Sequence, residues 1–148
     1  MDSAKEIDRI ARIIVSELRD RSIFALDRRL SGWWGGRTTE RWNEIITTEQ
    51  IRSAITYVIP DIVDSVISAT LRLLEDTKIE FYIKTIDGEI VDIRDIGQNE
   101  MSGDYLGDDD GWIRQYSKQR YHNDDRIQHE LVLRNSAENG DEDIEANR

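Results

Sequence analysis

The chain has no cysteine, a single proline, two histidines and fewer cationic than anionic side chains. Each shortage removes a class of protein. Without cysteine there are no disulfides, thiolate metal centres or cysteine nucleophiles, and the chain reads as cytoplasmic. A bilayer span needs about 20 predominantly apolar residues, and no uninterrupted apolar run approaches that length, so no membrane role is expected. The N-terminal stretch "MDSAKEIDRIARIIVSELRD" carries acids throughout, unlike a secretory signal or a transit peptide. His122 and His129 stand near Asp124 and Asp125, but no nucleophile elbow, phosphate loop or zinc motif accompanies them. They read as surface histidines, with no catalytic residue and no cofactor assigned.

What is present is charge, and it is unevenly placed. The 20 Lys/Arg and 31 Asp/Glu leave a net charge of −11. Residues 1–60 carry ten basic and nine acidic side chains, whereas residues 61–148 carry ten and twenty-two. A negative field repels phosphate backbones and draws in cationic surfaces, with a strength that salt reduces. Nucleic acid is therefore disfavoured as a partner, and a basic protein is favoured. Apolar content of 38% supports one modest core. It is assigned to a single globular domain over 1–134, followed by a disordered acidic tail over 135–148.

The chain punctuates itself into helices and one hairpin. Ser3 and Glu6 fit a capping box, and Ile7, Ile10, Ala11, Ile14 and Leu18 then recur at helical spacing. Ile23, Leu26 and Leu30 prolong the pattern until "SGWWGGR" ends it, and a short helix restarts near Thr39. Thr47 and Gln50 form a second capping box, opening a helix with Ile51, Ile55, Val58 and Ile59 on its apolar face. Pro60 suits a first helical position, so a separate helix is expected from it, with Ile62, Val63, Val66, Ile67, Ala69, Leu73 and Leu74 on a broad apolar stripe that makes it the central core helix. "KIEFYIKTIDGEIVDI" then alternates as strands do. Asp87-Gly88 at its centre favours a two-residue turn. A polar stretch, Gly97 to Gly111, precedes a C-terminal helix on which Trp112, Ile113, Tyr116 and Arg120 share a face. "ELVLR" at 130–134 reads as a third strand. The fold expected is α+β: a mainly helical N-terminal bundle packed on a small antiparallel β-hairpin sheet.

Two constellations carry chemical interest. The first is "GDYLGDDDGW", with Asp104, Asp108, Asp109 and Asp110 ahead of Trp112. Read as a calcium loop, with Gly111 as the invariant glycine, it places Leu106 and Ser117 at the first and twelfth ligand positions. Neither can serve, so no metal is assigned. The acids instead suit the electropositive start of a helix or a docking rim beside an aromatic anchor. The second is "RRLSGWWGGRTTERW", residues 28–42. It interleaves four arginines with Trp33, Trp34 and Trp42, an arrangement for capping a core, for self-association or, less in keeping with the overall charge, for stacking bases.

The acidic, cysteine-free, one-domain character resembles that of small bacterial immunity or antitoxin proteins, although no motif carries the resemblance. It implies a non-enzymatic protein-binding domain that inhibits a basic toxin or nuclease. Its expected partner contacts are Asp104, Asp108, Asp109, Asp110, Trp112, Trp33 and Trp34. The alternatives are a small metal- or ligand-binding domain or hydrolase using the 104–110 carboxylates, and a structural subunit that forms homo-oligomers through Trp33 and Trp34.

Overall fold

The computed structural model describes residues 2–76, 80–98, 100–107 and 110–122. The 130–134 segment expected as a strand, Ile79, Asp108, Asp109, His129 and the 135–148 tail lie outside them. The architecture is α+β, mostly helical with one two-stranded antiparallel sheet.

Asp2 opens the first helix, α1, Ser3–Arg12, by accepting the Lys5 amide proton at 3.4 Å. Ser3 is already helical, and Glu6 does not turn back to it as a capping box requires. Aspartate caps as well as serine, which leaves Glu6 free for a distant partner. Buried, it accepts the Ile86 amide at 2.6 Å and pairs with Arg9 at 2.8 Å, tying α1 to the hairpin loop.

From Ile13 to Asp20 the chain widens into a π-helix before α2, Arg21–Leu30, resumes. Regular α spacing points Leu18 inward. The π turn, bonded i to i+5, takes in an additional residue and rotates the side chains that follow. Leu18 is accordingly 48% exposed, and Arg19 is 0% exposed in its place, aligned with the buried Val15 and Ile23.

A glycine-rich loop leads to α3, Arg37–Ile45, and then to α4, Glu49–Glu75. Thr48, one residue beyond the expected box, caps α4 by accepting the Ile51 amide at 3.3 Å. Pro60 does not begin a helix but lies buried inside this one. A proline there removes one helical hydrogen bond and ordinarily kinks or breaks the helix at a cost of about 3 kcal/mol. It leaves the Thr56 carbonyl without its helical donor, and Arg120 Nη2 supplies a proton there instead, at 2.7 Å. The adjacent Tyr57 carbonyl lies 2.7 Å from His122 Nε2. A segment sixty residues downstream thus repairs the break.

The hairpin pairs β1, Tyr82–Lys84, with β2, Ile90–Asp92, placing Ile83 opposite Val91. The Thr85 amide bonds the Glu89 carbonyl at 2.9 Å beyond the strands, so the turn itself is Ile86-Asp87-Gly88, one residue longer than expected. The Gly88 amide bonds the Thr85 carbonyl at 3.0 Å, and a φ of 87° at Gly88 absorbs the additional residue. Three short helices follow: α5, Ile93–Gly97; α6, Met101–Leu106; and α7, Trp112–Tyr116. The polar stretch expected between Gly97 and Gly111 therefore contains a helix, α6, held by fully buried Met101 and Tyr105. Helix α7 stops before Arg120, so that residue does not share its inner face. Residues 117–122 instead form a non-helical strap against α2 and α4.

Candidate functional site

The glycine loop after α2 carries its tryptophans outward. Gly32 and Gly36 adopt φ of 74° and 106°, conformations that side chains with a β-carbon resist. The reversal leaves Trp33 72% and Trp34 41% exposed. Each indole is covered on one face by an arginine from the last turn of α2. Arg28 lies 3.9 Å from the Trp33 ring centre and 5.0 Å from that of exposed Phe24, and Arg29 lies 5.4 Å from Trp34. Such cation–π contacts hold flat, amphipathic surface at low conformational cost. Among the described residues, Arg28, Arg29, Arg37 and Arg41 form no ion pair with a carboxylate.

The acidic stretch divides. Gly107 and Gly111, which bracket Asp108–Asp110 in sequence, pack so closely that a β-carbon on Gly111 would collide with the Gly107 carbonyl. Asp110 is exposed in a turn, and its carbonyl accepts from the Gln115 side chain. Asp104 is exposed on α6, and partial burial, with the charge of Glu100, pushes its carboxyl above the usual range. Trp112 is 6% exposed and belongs to the core, so its indole does not stand in the rim beside these acids. Among the described residues, no group of three or more His, Asp or Glu gathers in a way that could hold a metal ion.

The most ordered polar constellation lies elsewhere, around Arg19. All five guanidinium protons are used. Nε and Nη2 fork onto Asp64 at 2.7 and 3.0 Å, Nη1 meets Ser117 at 2.8 Å and Asp20 at 3.3 Å, and Nη2 also reaches the Arg120 carbonyl at 3.0 Å. Tyr105 donates to Asp64 at 2.7 Å. Burial, reinforced by that bond, pushes the phenol well above its ordinary value. For Arg19 burial works against the charge, but the bonds and charge of Asp64 outweigh it and hold the group protonated. Every donor is spent internally, so this cluster joins the π-helix, α4, α6 and the strap rather than offering a proton or an anion hole to a ligand. The inward turn of Arg19 depends on the π-helix, for which periodicity gave no signal.

The second surface that periodicity misassigned runs along α4. Ile59, Val63, Ile67 and Leu71 face the core, whereas Ile51, Val58, Ile62, Val66 and Leu73 are exposed. At 1.5 Å per residue, the exposed set makes a stripe about 33 Å long, continued by the exposed Ala69 and partly covered Ile55. The signal in the sequence was the apolar doublets Val58-Ile59, Ile62-Val63, Val66-Ile67 and Leu73-Leu74, which mark a helix apolar on two faces rather than one. By length and composition α4 would also qualify to cross a membrane. Asp61 and Asp64 at its middle, the latter bound to Arg19, suit a helix packed in protein.

No protein-family description, no curated protein and no solved structure matches this chain. Its chemistry is therefore read from its own surfaces. Two are unusual: the uncovered apolar stripe of α4 and the arginine-stacked tryptophans. Both are suited to contact with another polypeptide.

Proposed function

We propose that this chain is a non-enzymatic protein-binding domain whose partner is a basic protein. An inhibitor of a basic toxin or nuclease is the specific role in that class. The observation that carries the reading is the exposed stripe from Ile51 to Leu73. Contiguous apolar surface of this kind is uncommon on a protein that works alone and marks interaction sites. An amphipathic helix presenting anchors at i, i+4, i+7 and i+11 is a recurring way of filling a partner's groove. Ile51, Ile55, Val58 and Ile62 have that spacing. The preference for a basic partner comes from the charge of the half-chain beyond residue 60, which includes exposed Asp61, Asp104 and Asp110. Rim charges of one sign raise association rates more than final affinity.

The test is affinity capture from the native host at low and high salt. The bait proteins are the wild type, an Ile62→Asn/Val66→Asn variant and an Asp104→Lys/Asp110→Lys variant. The expected result is a basic protein that the α4 variant fails to retain and that salt or the aspartate reversals weaken. A partner held equally by all three proteins would sink the reading, as would capture of acidic proteins alone.

A further inference from the structure

The Arg–Trp surface is independent of the α4 stripe, and it is out of keeping with the rest of the molecule. In a chain with eleven excess negative charges, Arg28, Arg29, Arg37 and Arg41 lie within fourteen residues, interleaved with exposed indoles. Arg28 lies over both the Phe24 and Trp33 rings and forms no ion pair among the described residues. A surface so built suits an acidic polypeptide. Its carboxylates can bond the guanidinium edges that the rings leave open, and its apolar side chains can rest on the indoles.

The charge of the chain that follows the strap indicates which polypeptide. The strap advances along α2 from Asp20, which accepts the Lys118 amide at 2.7 Å, to Asp27, which Arg120 grips with both terminal nitrogens at 2.7 and 2.9 Å. Asp27 is the residue before Arg28. His122 then packs at a tilt against Tyr57, with ring centres 4.2 Å apart. The described chain therefore ends against α4, with His122 Nε2 3.9 Å from Asp61, one step after Arg120 has bridged α2 and α4 at Asp27 and Thr56. The 26 residues that follow contain eight carboxylates and three arginines, a net of −5. Asp124 and Asp125 come within three residues of His122, and Glu138, Asp141, Glu142, Asp143 and Glu145 cluster farther on. Sixteen residues separate His122 from Glu138, and a chain of that length reaches at most about 55 Å, so the second cluster has the reach.

We infer that the acidic C-terminal segment, residues 124–148, docks on the Phe24–Arg28–Trp33 and Arg29–Trp34 stacks of its own molecule. The tether makes the contact intramolecular, which raises the effective concentration of the segment at the surface. Pairs of exposed charges that are individually weak thereby become a contact that salt can open. Docked, the segment reserves the surface, and only a more strongly acidic competitor displaces it.

Because the chain has no cysteine, Ser136→Cys provides a single attachment point for a nitroxide spin label on the full-length protein. The four indole N–H signals are read in a ¹⁵N-enriched sample, those of Trp33 and Trp34 being identified by their loss in Trp33→Phe and Trp34→Phe variants. The signals of Trp33 and Trp34 are expected to lose most of their intensity, while that of Trp112 is unaffected. Intensity should return at about 1 M NaCl, where screening acts over about 3 Å, and in an Arg28→Glu/Arg29→Glu variant whose remaining spectrum is unchanged. Full intensity for Trp33 and Trp34 at low salt would overturn the inference. So would attenuation that appears equally when labelled unenriched protein is mixed with unlabelled enriched protein, which would make the contact one between copies. Attenuation confined to Val58, Ile62 and Val66 would overturn it too, since the segment would then occupy α4.

Discussion

The two faces of α4 are built from the same kinds of residue and have opposite fates. Ile59, Val63, Ile67 and Leu71 are sealed beneath α2, α5 and α6, while Ile51, Val58, Ile62, Val66 and Leu73 meet solvent. The difference lies in what the other elements bring. The sealed face includes Asp64, which holds Arg19 and Tyr105, so short helices with little intrinsic stability are gathered against that side. Among the described residues, the open face has no such fixed point. Apolar residues alone do not decide which side of a helix becomes the core; here a buried ion pair fixes the orientation.

The largest effect is therefore expected at the ion pair. Arg19→Met leaves the partly buried Asp64 and Asp20 without their fully buried cation, and loss of one partner of a buried pair costs about 3–5 kcal/mol. Urea denaturation would measure it, and pairing the change with Asp64→Leu should recover much of the loss. A smaller and more discriminating contrast compares the faces directly. Ile67→Ala should cost about 2–5 kcal/mol, as truncation in a core does. Ile62→Ala, one turn away on the open face, should fall within about 0.5 kcal/mol of wild type. Equal losses at the two positions would mean that both faces are covered in solution.

The smallest effect is a pH dependence at the hairpin. Glu6 is held below the usual carboxylate range by the Ile86 amide and then by Arg9, and Asp92 is lowered to about 2 by Arg94. A carboxyl lowered by folding contributes stability that is complete above its ordinary pKa, near 4. That contribution is lost as pH falls through the folded value. Thermal melting should thus be level from neutrality to about pH 5 and then decline, with a shallower decline in an Asp92→Asn variant.

Much of the fold was legible from local rules. Helical periodicity located α1 and α2, the glycine loop separated them from α3, and strand alternation with Asp87-Gly88 found the hairpin. The losses came where distant groups override local preference. Glu6 serves the hairpin instead of its own helix end, the π turn exchanges Leu18 for Arg19, and α6 exists because Met101 and Tyr105 are buried beneath acidic neighbours. The tryptophan loop was conspicuous in sequence because indoles among glycines lack helical neighbours to bury them. Which tryptophans reach solvent required the fold: Trp33 and Trp34 do, while Trp112, beside the aspartates, does not.

Pro60 carries a consequence for the order in which the molecule assembles. Each half of α4 can form from near neighbours, but the hydrogen bond that heals its midpoint comes from Arg120, sixty residues later. Contacts of such sequence separation form late, because closing the intervening loop must come first. During synthesis from the N-terminus, both halves of α4 emerge well before the strap, and the proline remains a hinge between them. The two halves are braced across Pro60 only when residues 117–122 arrive, so the continuity of α4 depends on the strap.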